Sequence, residues 1–74
     1  MISLGQGIRV ARLQAKWSQK RLAKVLGVDA SYLSMIEANK RVPSLDVLAR
    51  IADECHLKLS QLVLLCEAME GTKR

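Results

Sequence analysis

The sequence predicts an all-α domain of five short helices, and three observations carry that prediction. Half of the residues are hydrophobic, yet runs of alternating β-branched residues, the mark of strands, are missing. Apolar positions recur at helical spacing instead. The stretches that carry them are separated by residues that start or stop helices, among them Ser18, Gly27, Asp29, Asn39, Pro43 and Ser44. At 74 residues the chain reads as one domain, residues 1–74, whose core buries only about 60% of the surface exposed by the unfolded chain. With no Phe, one Trp and one Tyr, that core must be built from Leu, Ile, Val, Ala and Met.

The first helix is predicted over about residues 4–16, with Leu4, Ile8 and Ala11 on one face and Arg9, Arg12 and Lys16 on others. Trp17 and Ser18 then interrupt it. Ser18 is a good N-cap for a second helix starting at Gln19, and Trp17, packing into the core, serves as its hydrophobic staple. Arg21 stands where a capping box would have an acid. The second helix runs to about Leu26 and turns at Gly27, and Asp29 is placed to cap a third helix from about Ala30 to Ala38. Leu22, Ala23, Leu26, Val28, Leu33 and Ile36 converge on the corner between the two. Two short helices joined by a tight glycine turn, here over residues 19–38, form a helix-turn-helix, whose second helix fits a DNA major groove. With Leu33 and Ile36 inward, Ala30, Ser31, Ser34 and Met35 point outward. Small hydroxyl residues are also ordinary helix-start residues, so each alone is a weak signal of base contact.

Asn39, the residue that after glycine best adopts the left-handed αL conformation, closes the third helix and leaves Lys40 and Arg41 on a loop. Ser44 caps a fourth helix whose buried stripe is expected to be Leu45, Leu48, Ala49, Ala52 and Cys55. His56 ends it where glycine would be easier. Leu59 and Ser60 repeat the pattern of staple and cap before a fifth helix over about residues 61–69, and residues 71–74 are expected to fray. Leu62, Val63, Cys66 and Met69 are expected to cover the core, leaving Leu64 and Leu65 for a second surface. Residues 61–70 are therefore a candidate dimerisation helix, the plainer alternative being a helix buried between its neighbours.

The net charge of +5 sits in one half of the chain. Up to Pro43 there are eight Lys or Arg against two acids, and from Ser44 onward four against five. The half with the helix pair is the one drawn to a polyanion; the plainer reading is a basic solvated face. Cys55 and Cys66 fall inside apolar helical patterns without a C-x-x-C pair or secretory signal, so they are expected as reduced thiols in a cytoplasmic core. With only His56 nearby a metal site lacks a clear fourth ligand, and no apolar run approaches the ~20 residues that span a bilayer. One His, two separated Cys and no clustered carboxylates offer no nucleophile and base, so no enzyme, cofactor or small-molecule ligand is expected.

Taken together, the chain resembles the lambda-repressor-like helix-turn-helix family, the Cro and C1 type also called XRE-like, over nearly all of its length. The matching residues are Gly5, Ile8 and Arg12; Ser18, Gln19, Leu22, Ala23 and Gly27; Ser31, Leu33, Ser34, Ile36 and Glu37. They continue through Lys40, Pro43, Ser44, Leu45, Leu48, Ile51 and Ala52 to Leu57, Leu59, Ser60 and Leu62. The resemblance implies a compact five-helix DNA-binding domain in which Ala30, Ser31, Ser34 and Met35 face base edges. Gln19 would touch the DNA backbone or an adjacent base, Lys40 and Arg41 would anchor phosphates, and Lys20 and Arg9 are weaker candidates for that role. Arg12 and Glu37 correspond to the family's internal ion pair. Lys16, Asn39 and His56 stand where the family usually has glycine. The outward positions of the third helix also lack Gln, Asn and Arg, which read bases bidentately, so specificity would rest on thymine methyls, water bridges and DNA shape.

The function this implies is a sequence-specific double-stranded DNA-binding regulator, a small repressor acting as a homodimer on a near-palindromic operator. The competing expectation is a protein-interaction module, an antitoxin or adaptor, that uses the same fold mainly to bind a partner protein, which an exposed Leu64 and Leu65 would suit.

Overall fold

The computed structural model describes residues 3–70, so the fraying expected of residues 71–74 lies outside the described residues. Within them the chain forms five helices and no strand: α1 (Leu4–Gln14), α2 (Gln19–Leu26), α3 (Ala30–Glu37), α4 (Leu45–Glu54) and α5 (Leu59–Glu70). None is long and apolar enough to cross a membrane.

Four of the helices stop in the same way. At the end of α1, α2, α3 and α4 one residue turns into αL: Lys16 at φ 66°, Gly27 at 76°, Asn39 at 61° and His56 at 62°. The next N–H then reaches back five residues, Trp17 to the Arg12 carbonyl at 3.0 Å, Val28 to Ala23 at 3.0 Å, Lys40 to Met35 at 2.8 Å and Leu57 to Ala52 at 2.8 Å. This 6→1 bond is the Schellman motif, which satisfies carbonyls that have no partner inside the helix. Nothing lies within 4 Å of where a Gly27 side chain would start, so glycine serves the backbone angle there and not a shortage of space. The first helix ends two residues earlier than its apolar pattern suggests, because Ala15 closes it and Lys16 is already left-handed.

Helix starts follow the caps less uniformly. Ser18 Oγ accepts the Arg21 N–H at 3.1 Å and Ser44 Oγ accepts the Val47 N–H at 3.2 Å. Asp29 holds the N-cap position of α3 with extended backbone, but its side chain makes no capping bond and only its carbonyl is used. Ser60 is not a cap. α5 begins at Leu59, and Gln61 Oε1 accepts the Lys58 N–H at 2.8 Å, the backward-reaching half of a capping box.

The core takes fully buried side chains from every helix: Ile8, Leu22, Leu33, Ile36, Ile51, Leu62 and Cys66. α1 lies along α5 and also meets α3, α2 packs on α3 and α4, and α4 closes against α5. Gly7 permits the first of these contacts, since a Cβ there would lie 2.7 Å from the Cys66 Cα, a backbone atom that cannot move aside. Two expected faces are turned by this packing. Leu45 is 70% exposed, so the inward stripe of α4 is Leu48, Ile51, Ala52 and Cys55, with Ile51 fully buried. Helical phase points Leu45 inward, but the stripe meets the core only from Val47 and Leu48 onward. On α5, Leu65 rather than Val63 joins Leu62 and Cys66 against the core, and Leu64 alone of the expected pair stays largely exposed, at 63%.

Candidate nucleic-acid interface

Besides the burial of Leu33 and Ile36, one ion pair ties α3 to α1. Arg12, at the end of α1, donates from Nε to Glu37 Oε2 at 2.6 Å and from Nη2 to Glu37 Oε1 at 3.1 Å. Its remaining terminal nitrogen donates to the Trp17 carbonyl at 2.8 Å. The two side chains are 8% and 5% exposed. A buried charge pair is favourable only when its geometry and further hydrogen bonds satisfy both groups, and this fork-on-carboxylate arrangement does so. No buried side-chain polar atom among the described residues lacks a partner. Trp17 packs against the core and donates Nε1–H to the Glu54 carbonyl at 3.1 Å, tying the α1–α2 connection to α4.

Held this way, α3 turns Ala30, Ser31 and Ser34 to solvent, with Met35 half-buried at the edge of the same face. Lys40 and Arg41 follow on the exposed loop, and Arg9 and Lys20 are exposed on α1 and α2. No acidic residue lies in the first turn of α2 or of α3. The partial positive charge at the start of α2, capped by the neutral Ser18, is therefore left unopposed and favours an approaching anion, whereas at α3 the Asp29 N-cap carboxylate offsets it.

Gln19 is not a free side chain. Its Nε2 donates to Glu37 Oε1 at 3.0 Å, the oxygen that also takes Arg12 Nη2. One amide hydrogen is thus committed inside the protein, leaving the second hydrogen, the amide oxygen and the backbone N–H for a partner. Two residues without a sequence signal also matter. Arg50 donates from Nη2 to the Leu26 carbonyl at 2.7 Å, so a base of the second half of the chain completes the last turn of α2. Tyr32, half-buried against the core, carries the Arg41 guanidinium over its ring, 5.5 Å from the centroid. Both depend on residues that only folding brings together.

The two cysteines lie away from this face, in the core. Burial pushes both thiols up from their ordinary range, helped at Cys55 by neighbouring Glu54 against a smaller opposing pull from Arg12, and at Cys66 by Glu67. Such thiols stay protonated and unreactive at neutral pH. Among the described residues no group of three or more His, Cys, Asp or Glu could hold a metal ion.

The comparisons with known proteins agree with this geometry. No curated protein sequence matches the chain significantly. The restriction-modification controller protein C.AhdI from Aeromonas hydrophila is similar at 30% identity and a TM-score of 0.76, over 82% of this chain and 92% of that one. The clp gene regulator ClgR from Corynebacterium glutamicum superposes with a TM-score of 0.86 at 20% identity, over 96% of this chain and 79% of its own, which bears on the fold alone. A hypothetical transcription factor, NHTF, from Neisseria matches at 28% identity and a TM-score of 0.78, over 97% of this chain and 80% of its own. The family model described as "Helix-turn-helix" matches residues 8–62, from the core of α1 to the first turn of α5. The chain therefore belongs to the XRE/Cro-C1-type helix-turn-helix family of DNA-binding transcription regulators.

Proposed function

We propose that the protein is a sequence-specific repressor that binds a near-palindromic operator in double-stranded DNA as a homodimer. The observation that carries this reading is the exposed face of α3, with Ala30, Ser31 and Ser34 free of internal partners beside the exposed bases Lys40 and Arg41. In it, Ala30, Ser31, Ser34 and Met35 meet base edges through small apolar and hydroxyl contacts, and Arg9, Gln19, Lys20, Lys40 and Arg41 meet phosphates. The similar restriction-modification controller protein C.AhdI has a regulatory name, which favours control of transcription. One helix of small residues reads only a few base pairs, so two copies must combine. Leu64, 63% exposed on α5, is the contact proposed to join them, with Leu65 at its edge, half-buried.

Selection of bound sites from a random DNA pool tests the reading, because it returns a two-fold symmetric motif if the proposal holds. A dimer that neutralises ~6 to 10 phosphates should also lose about 10³ to 10⁵ in affinity between ~50 and ~200 mM salt. Affinity indifferent to salt refutes DNA binding through this face. The exposure of Leu64 equally favours a second reading, in which the fold serves mainly to bind a partner protein. Weak or unspecific DNA binding beside a tight heteromeric complex favours that second reading; for the first, Leu64→Glu sedimenting as a folded monomer with weakened full-site binding supports the dimer, whereas an unaltered dimer moves the interface elsewhere.

A further inference from the structure

The arginines of this chain are used differently. Arg12 spends its nitrogens on Glu37 and the Trp17 carbonyl, and Arg50 donates to the Leu26 carbonyl. Arg41 makes no hydrogen bond or ion pair among the described residues, and its charged head lies over the Tyr32 ring, 5.5 Å from the centroid. That is within the ~6 Å over which a ring's negative face attracts a cation. The chain has only two aromatic side chains, Trp17 and Tyr32, and Trp17 is committed to the core and to the Glu54 carbonyl. Tyr32 sits inside α3, half-buried, next to Leu33, whose side chain is fully buried.

We infer that Tyr32 is a positioning residue for DNA binding, holding the Arg41 guanidinium beside the recognition helix with its N–H donors unspent. This rests on the reading of Arg41 as a phosphate anchor. Both ends of Arg41 are referred to α3: the backbone by αL Asn39 and the Lys40 N–H bonded to the Met35 carbonyl at 2.8 Å, and the head by Tyr32. A ring face satisfies the cation without consuming a hydrogen-bond donor, unlike a carboxylate or carbonyl. The five N–H groups of the guanidinium thus remain available to phosphate oxygens. Pre-placing a long, rotamer-rich side chain also removes part of the ordering cost that binding otherwise meets. A hydroxyl is not needed for either effect, so phenylalanine should serve as well as tyrosine.

The test measures affinity for a short mixed-sequence duplex at low salt, because phosphate contacts do not depend on sequence. The proteins are the wild type, Tyr32→Phe, Tyr32→Leu, Arg41→Ala and the double variant Tyr32→Leu/Arg41→Ala, each with a thermal melt. Tyr32→Phe should bind as the wild type does, and Tyr32→Leu should lose about two- to five-fold per subunit. In the Arg41→Ala background the Tyr32→Leu change should have no further effect, an outcome that loss of packing alone does not produce. Weakened binding by Arg41→Ala with none by Tyr32→Leu overturns the inference and leaves the phosphate anchor standing. An equal loss in both backgrounds likewise overturns it. Arg41→Ala binding like the wild type refutes the anchor itself and the inference with it. Proton NMR of the unmutated protein gives a measurement independent of any variant's folding. The Arg41 side-chain protons should be shifted upfield by the Tyr32 ring current, and ordinary shifts for them overturn the placement.

Discussion

Lys16, Asn39 and His56 all adopt the left-handed conformation at φ 61–66°, yet replacing each by glycine should not have the same effect. For most side chains the left-handed region costs ~1–2 kcal/mol, and glycine relieves it at ~0.5–1 kcal/mol of extra chain entropy on folding. Lys16 and His56 are exposed, so Lys16→Gly and His56→Gly should each stabilise by ~0.5–1 kcal/mol. Asn39 has a second task. Ser3 offers no side-chain cap to α1, and Asn39 Oδ1 accepts the Gly5 N–H at 2.9 Å, capping from the turn after α3 a helix start 34 residues earlier. Asparagine also tolerates the left-handed conformation well, so little strain is relieved by removing it. Asn39→Gly leaves the buried Gly5 N–H without a partner, at ~1–3 kcal/mol. At ~4–8 °C per kcal/mol for a domain of this size, Tm should rise by ~2–8 °C for the first two variants and fall by about 4 °C or more for Asn39→Gly. Circular dichroism melts of the three proteins decide the matter. An Asn39→Gly protein that melts at or above the wild type refutes the remote cap, and two unimproved variants at Lys16 and His56 refute the strain argument.

Glu37→Ala should destabilise by roughly 3–5 kcal/mol, because it leaves the Arg12 guanidinium, in a side chain only 8% exposed, without its counter-charge and also frees Gln19. An unchanged denaturant midpoint would show that the pair contributes nothing. Ser31→Ala and Met35→Ala should change the selected DNA motif more than the overall affinity, each useful base contact being worth ~1–3 kcal/mol of discrimination. Identical motifs from wild type and variants would remove both side chains from the readout. For the thiols, burial holds the folded pKa above the ordinary 9.0 that an exposed cysteine of the unfolded chain has. The unfolded chain therefore releases protons first, and the contribution to stability is complete below about pH 9 and declines as pH rises beyond it. Denaturant melts at about pH 8 and about pH 10 should show this loss, smaller in Cys66→Ala; an equal loss in that variant assigns it to other groups.

What the sequence determined by itself is what is decided within a few residues. Ser18 and Ser44 cap their helices because a hydroxyl needs only its own backbone neighbours to reach an N–H three residues on. Gly27 and Asn39 end theirs because a left-handed angle is a local property. Leu22, Ala23, Leu33 and Ile36 bury themselves as their spacing directs, which is enough to form the helix-turn-helix corner and turn Ala30, Ser31 and Ser34 outward. The rest depended on which helix lies against which. α5 is apolar on several sides, so its periodicity leaves the inward face undecided; close packing of α1 at Gly7 against Cys66 selects Leu62 and Leu65 for the core and leaves Leu64 out. In α4 the phase was legible but not how far the core extends along it, and so Leu45 emerges into solvent. Gln19 on Glu37, Arg50 on the Leu26 carbonyl, Asn39 on Gly5 and Arg41 over Tyr32 join separate elements of the chain. A hydrogen bond or ring contact requires angström-scale proximity, and between residues distant in sequence only the packed helices supply it.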